Sequence, residues 1–276
     1  MNGRNILFIM LLCILTTNTQ KTTAQALKAL MARQTGIIEG KAEQNSRKET
    51  CCNFYNNDWC DYYLCCRNDK AYNLHPGKNT LFVAPDKSKI YNPAKEEFQY
   101  RYYRGIFPKK FNIETPYALP VKNGVRTAWR TDRHETKKTL CFKIEKEDTV
   151  YATRGGILCK IPSSRFILIY HPDHTFAAYI GIRDKFVKPG DDVRTGQAIG
   201  IAGQDNISIS FFFLDKNKFE ASADMGYPYS HFVPTFRTDR GDVRPVERKF
   251  YRVVTDDALI MQDMSKKEQK KYLKHK

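Results

Sequence analysis

The sequence predicts a mainly β fold, an antiparallel β domain preceded by a Cys- and Tyr-rich insert. Three observations carry this. Short runs rich in β-branched and aromatic residues follow one another from residue 139 onward, which is the texture of strands. Gly, Pro, Asp and Thr turn residues separate them, with no helical pattern between, so neighbouring runs pair antiparallel. Finally, 41% hydrophobic and 28% charged residues over 276 positions support a packed core and exclude a disordered, collagen-like or coiled-coil chain.

The first element is an export signal over residues 1–26. Met1 to Arg4 forms a basic start, Ile6 to Leu15 an apolar run, and Ala24-Gln25-Ala26 a small-residue cleavage site, the three parts of a secretory signal peptide. The run is shorter than the roughly 18 apolar residues that a membrane span needs. The expected product is exported to the periplasm or the extracellular space and keeps no transmembrane anchor. Losing Arg4, Lys21 and Cys13 lowers the net charge from +16 to +14 and the cysteines from eight to seven.

Residues 27–50 open with the helical spacing of Leu27, Leu30 and Met31 and then turn polar, which predicts a short helix and a linker. Residues 51–116 are rich in Cys and aromatics and read as irregular. The stretch CCNFYNNDWCDYYLCC gathers Cys51, Cys52, Cys60, Cys65 and Cys66, while Cys141 and Cys159 stand far downstream. In an oxidising compartment all seven are candidate disulfide partners, and the odd count leaves a thiol over or links two chains into a dimer. Adjacent Cys-Cys pairs lack the spacing of zinc knuckles. In QYRYYRGIFPKKF, Tyr100, Arg101, Tyr102, Tyr103 and Arg104 are a candidate binding surface for glycan, teichoic acid or lipid headgroups. The plainer reading packs the tyrosines in the core of the insert. Nucleic acid would suit such a composition, but export removes it as a partner.

The next elements are strands: TLCFKI (139–144), TVYA (149–152), GILCKI (156–161), RFILIYH (165–171), TFAAYIGI (175–182), QAIGIAG (197–203) and ISISFFFL (207–214). Between Phe186 and Gly203, Pro189-Gly190-Asp191-Asp192 makes one turn, Val193 returns to the core and Thr195-Gly196-Gln197 makes a second turn. This is a β-hammerhead. Residues 247–276 form a C-terminal extension whose last twelve residues hold six Lys and one Glu, expected as a solvated basic tail.

Taken together, RFILIYHPDHTFAAYIGI, VKPGDDVRTGQAIGIAG and NISISFFFL resemble the lysostaphin-type zinc endopeptidases that cut peptidoglycan cross-bridges. The resemblance runs from about Leu119 to Leu214. LPVKNGVRTAWRTDR is similar to the family's Pro-Val-x-x-Gly entry, and DTVYATRGGIL to the strand and turn after its first metal motif. It implies a hammerhead or hybrid-barrel domain over residues 117–246. It also implies a degenerate one, because the family's zinc ligands, H-x(3)-D on one strand and a histidine on the last, are not in place. Lys137 stands at the first ligand and Cys141 at the aspartate. Gly181 replaces the histidine after Tyr179, and Ser208 and Ser210 replace the terminal pair.

An ammonium repels a divalent cation, and hydroxyls are poor zinc ligands. The resemblance therefore implies no metal, no cofactor and no catalysis. It points to an exported pseudoenzyme that binds peptidoglycan or an envelope protein and regulates a cell-wall hydrolase. The vestigial groove would be floored by Ser208, Ser210 and Gly181 and walled by Tyr179 and Lys137, against the simpler reading of both serines as a strand's solvent face. Cys141 and Cys159 would lie on neighbouring strands, either as a disulfide in place of the metal or as two buried thiols. Two rivals stand beside this: a hydrolase built from Cys141, His134 or the His171/His174 pair, and a scaffold recognised through its Cys-rich segment. His171 and His174 flank a hairpin tip, where surface polarity is the ordinary explanation. His75 and His231 show no partner spacing.

Overall fold

A computed structural model describes residues 34–66, 70–84, 100–109, 111–131, 139–162, 165–221 and 227–275. The expected signal peptide, the Leu27 helix start, His134 and Lys137 lie outside the described residues.

Strands β1 (Ile38–Gln44), β2 (Thr50–Asn56), β3 (Tyr62–Cys66), β4 (Ala71–Leu74), β5 (Gly77–Ala84) and β6 (Tyr100–Arg104) form two three-stranded antiparallel sheets, β1-β2-β5 and β4-β3-β6. The expected linker is thus corrected over Ile38–Gln44, which pairs residue for residue with β2, from Ile38 opposite Asn56 to Gln44 opposite Thr50. As the edge of its sheet, β1 leaves most of its side chains half-buried or exposed, so it carries no apolar period to reveal it. Within the 51–116 region, expected as irregular, the described residues include strands β2 to β6.

The larger part continues with β7 (Pro116–Tyr117), β8 (Arg126–Thr127), β9 (Trp129–Thr131), β10 (Leu140–Lys143), β11 (Thr149–Tyr151), β12 (Gly156–Leu158), β13 (Phe166–Tyr170), β14 (Thr175–Ile180), β15 (Ile182–Lys185), β16 (Asp192–Val193), β17 (Ala198–Ala202) and β18 (Asn206–Leu214). Next come α1 (Lys216–Ala221), β19 (Tyr229–Phe232), β20 (Thr235–Thr238), β21 (Gly241–Val243), β22 (Tyr251–Arg252), α2 (Asp257–Met261) and α3 (Lys266–Lys274). The central sheet runs β16-β12-β13-β14-β18-β10-β9. Strand β18 is its spine. One edge pairs with β14, while the other pairs first with β10 and then, from Phe211 onward, with β19.

Both faces of this sheet are covered. On one, Leu140, Phe142, Ile167, Ala177, Tyr179, Ile207, Ile209 and Phe211 pack against Val150, Ile182 and Ile199 of the small hammerhead sheet β11-β17-β15. On the other, Leu168, Phe176, Ala178, Phe212 and Leu214 pack under Phe54, Tyr62, Leu64, Leu74 and Tyr100 of the N-terminal sheets. Two-sided burial explains why β14 is an unbroken apolar and small-residue run. The hammerhead turns stand where the Gly pattern places them. A Cβ on Gly190 (φ +91°) would come within 2.6 Å of the Trp59 ring, so a glycine there also lets the N-terminal module close onto the turn.

The C-terminal extension is no separate tail. Strand β22 pairs with β8, Val253 bridges Thr238, and Arg154 binds Asp263. The lysine-rich end, expected as a solvated, frayed tail, is helix α3, which has no buried residue and is started by a reciprocal cap between Ser265 and Glu268.

His171 is also corrected. It is fully buried rather than a surface residue. Its Nδ1 lies 2.7 Å from the Gly155 carbonyl, so that nitrogen donates, and Nε2 is left as an unpartnered acceptor. Burial first, and the Arg154 charge second, hold its pKa down to about 4. An unfolded histidine titrates near 6.5, so between these values the unfolded chain binds the extra proton. Stability from this group is therefore complete above about pH 6.5, falls with pH, and is lost by about pH 4. The loss should amount to about 3 kcal/mol at about 1.4 kcal/mol per pKa unit. Thermal melts from pH 7 to 4 should show it, and His171→Gln should flatten that limb of the profile.

Candidate functional site

Register decides which of the sequence-predicted residues meet. Ser208 lies opposite both Cys141 and Ile180, and Ser210 lies opposite Ala178, so Cys141, Ser208 and Ser210 share one face of the sheet. Tyr179 faces the other way. It is fully buried in the hammerhead-side core, where its hydroxyl accepts from the Thr153 amide at 2.7 Å, and burial pushes its phenol pKa up. Gly181 follows the end of β14 at φ +98°, and a Cβ there would approach Ile207 on the Tyr179 side. Tyr179 and Gly181 therefore do not belong to the groove expected of them. A histidine at 181 would be strained, because its backbone is left-handed.

Ser210 is not on a solvent face, and Ser208 is half-buried. The Ser208 hydroxyl and the Cys141 thiol stand 3.2 Å apart. Ser210 is fully buried, and its Oγ lies 2.9 Å from His231 Nδ1, whose Nε2 is 3.0 Å from the Tyr227 hydroxyl. The His231 and Tyr227 rings stack at 5.7 Å. Sequence reasoning missed this pair, although the alternation Tyr227-x-Tyr229-x-His231 entering β19 puts three aromatic rings on one face. Ser210 has a base beside it but is closed to solvent, while Cys141 is half-exposed with a hydroxyl neighbour. One thiol and two hydroxyls, one of them engaged by His231, also do not fit the zinc set of the resembled family.

The candidate aromatic and basic surface is largely interior. Tyr100 packs edge-on against Phe54 at 5.1 Å, and Arg104 is buried in an ion pair with Asp58. Tyr103 meets Phe219 of α1, and the Tyr102 hydroxyl donates to the Gln34 carbonyl. Arg101 is the exposed member. Burial of Tyr100 and Arg104 follows from strand β6 lying beside β3, against the central sheet.

The expected Cys141–Cys159 neighbourhood is overturned by strand order. Cys141 lies on β10, and Cys159 follows β12, with β13, β14 and β18 between those strands. No two of the described cysteines stand at disulfide distance. Cys159 lies instead near Cys60 and Asp58, and the ligating atoms of these three fall within 4.8 Å of one another. The expectation that His75 has no partner is corrected too, since its Nδ1 lies 2.8 Å from Asp61.

The Cys141 end of the face remains open as a pocket of about 310 Å³, lined by Arg130, Cys141, Lys143, Asp205, Arg248 and Phe250 among others. Lys143 and Arg126 sit over the Phe250 ring at 5.6 and 5.7 Å, and the Arg248 amide donates to the Trp129 carbonyl at 2.8 Å. Among the described residues, three cations against one carboxylate make this an anion-attracting hollow with an aromatic wall. A larger cavity of about 750 Å³ lies between Gly155–Gly156, Asp192–Arg194 and the helices α2 and α3. Its walls carry Asp192, Asp263 and Glu268 beside Arg194 and Lys271. No helix among the described residues is long and apolar enough to cross a membrane.

No protein-family model matches the chain, and no curated protein does. Among solved structures it is similar to a novel M23 metalloprotease, pseudoalterin, from the deep sea, at 17% identity over 35% of this chain and 69% of that one, with a TM-score of 0.30. It is also similar to Csd3 of Helicobacter pylori. In the hexagonal crystal the identity is 8% over 62% of this chain and 70% of that one, with a TM-score of 0.29. In the orthorhombic crystal it is 9% over 86% and 83%, with a TM-score of 0.28.

Proposed function

We propose that the chain is an exported, non-catalytic, peptidase-like protein that binds peptidoglycan at the Cys141 end of its central sheet and so regulates a cell-wall hydrolase. The observation that carries this reading is the basic pocket. Arg130, Lys143 and Arg248 converge where the sheet face emerges from beneath the N-terminal module, next to Cys141 and Phe250. The stem peptides of peptidoglycan bear carboxylates that guanidinium groups bind as charge-assisted forks, and the sugar and peptide carbons suit the Phe250 ring. Hydrolysis has little to work with on this face. Its thiol and hydroxyls hydrogen-bond to neighbours, and the N-terminal sheets cover Ala178 and Phe212 beside Ser210.

The chain should co-sediment with purified sacculi without releasing soluble muropeptides. Arg130→Glu combined with Arg248→Glu should weaken binding by about a hundredfold or more while leaving the fold intact, since each charge-assisted hydrogen bond contributes about 1.5–3 kcal/mol. Release of muropeptides by chain containing stoichiometric zinc would overturn the non-catalytic reading. Absence of sacculus binding would turn the search toward an envelope protein partner.

A further inference from the structure

Two cysteines remote in sequence meet where the N-terminal module is seated on the central sheet. Cys60 lies in the loop between β2 and β3, Cys159 directly follows β12, and both are buried, at 0% and 1% exposure. With Asp58 they form the one set of three potential metal-ligating groups found close together among the described residues. Their surroundings hold them in register. The Asn56 side chain donates to the Cys60 carbonyl at 2.8 Å, the Cys159 amide donates to the Leu168 carbonyl at 2.9 Å, and the Lys160 amide donates to Asp58 Oδ1 at 2.6 Å.

A metal fits poorly here. Asp58 Oδ1 already accepts from the Trp59 and Lys160 amides, and Oδ2 accepts from the Tyr62 hydroxyl, the Arg104 guanidinium and the Cys60 thiol. The carboxylate thus has no lone pair to turn toward an ion. Arg104 also stands 3.7 Å from Cys60 Sγ, a fixed positive charge where a cation would have to sit. Burial, above all, pushes the Cys60 thiol pKa up, against the thiolates that a metal demands. A disulfide is neutral and needs none of this.

We propose that Cys60 and Cys159 join as a disulfide that ties the N-terminal module to the central sheet when the chain folds in contact with an exchangeable disulfide. The two thiols give up their S–H bonds and form one S–S bond. Two electrons pass to a small-molecule disulfide, which is cleaved to two thiols by taking up the two protons. Side-chain rotation has to close a gap of at most 4.8 Å between the sulfurs to the roughly 2 Å of the bond. Because both sulfurs are buried, exchange takes place during folding and is slow in the finished protein. The pair uses two of the seven described cysteines and leaves the other five outside the bond. This inference stands independently of the peptidoglycan reading.

The test refolds the full chain with a mixture of oxidised and reduced glutathione, alkylates remaining thiols, and maps peptides without reduction. The expected result is a peptide joining Cys60 to Cys159 and a reductant-sensitive rise in Tm of about 5–15 °C, as a cross-link closing about 100 residues should give. Cys60→Ala with Cys159→Ala should abolish the rise, and Cys141→Ala should keep it. Three results would overturn the proposal: no such peptide after oxidation, a rise in Tm that survives in the double variant, or one equivalent of zinc in the reduced chain that the double variant loses. Peptide mapping of the unsubstituted chain decides the matter even if the variants fold poorly.

Discussion

Asp58→Ala should destabilise the protein by about 3–5 kcal/mol, lowering Tm on the order of 10 °C in thermal melts and shifting the urea midpoint to match. Asp58 and Arg104 are an ion pair with 0% and 4% of their side chains exposed. Removing the acid strands a guanidinium in the interior and, with it, the Lys160 and Trp59 amides and the Tyr62 hydroxyl that Asp58 accepts. Each orphaned donor adds its own desolvation cost. The double substitution Asp58→Ala with Arg104→Leu should be less harmful than the sum of the two single changes, because it removes the charge and its partner together. A double-mutant cycle measures that coupling. Strict additivity would show that the two charges do not act as a pair.

Arg154→Leu is expected to cost about 3 kcal/mol or more and to act mainly on the C-terminal segment. The buried guanidinium donates to Asp173 at 2.6 Å, to Asp263 at 2.8 and 2.9 Å, and to the Tyr117 hydroxyl at 3.2 Å. It thus fastens the hairpin tip between β13 and β14 to the turn between α2 and α3. Without it, two largely buried carboxylates repel each other. The segment from Asp257 should then become the first site cut in limited proteolysis, with Asp263→Asn giving a milder form of the same effect. The acid limb of stability should move as well. The Arg154 charge helps to hold the His171 pKa down, so its loss should let His171 protonate at higher pH. A proteolysis pattern identical to that of the unsubstituted chain would show that the C-terminal segment is docked by other contacts.

The strands from Leu140 to Leu214 were legible because their side chains alternate against a core or, as in β14, run apolar where both faces are buried. Strand β1 was not, since an edge strand that exposes Lys41, Ala42 and Gln44 and only half-buries Glu39 and Glu43 differs little from a polar linker. Helix α3 was hidden by its charge. Its cap, Ser265 with Glu268, is a readable signal that the lysine count obscured. For the candidate site, the period of two placed Ser208 and Ser210 on one face correctly. It did not show that Ser210 is buried or that His231 reaches it, because β19 comes alongside β18 only by tertiary pairing, with α1 between them in sequence.

What the sequence determined by itself is local: the β character of the larger part, the hammerhead turns at Gly190 and Gly196, and the alternation that puts Ser208 and Ser210 on one face of their strand. Backbone preferences and side-chain period act over a few residues, and so they survive without the fold. Only the tertiary structure decided which distant groups share an interior. It brought Cys60 to Cys159 and Arg104 to Asp58, and buried His171 behind Arg154. Those contacts follow from strand order in the central sheet and from the N-terminal module covering one of its faces, which is settled by the balance of burial over the whole chain.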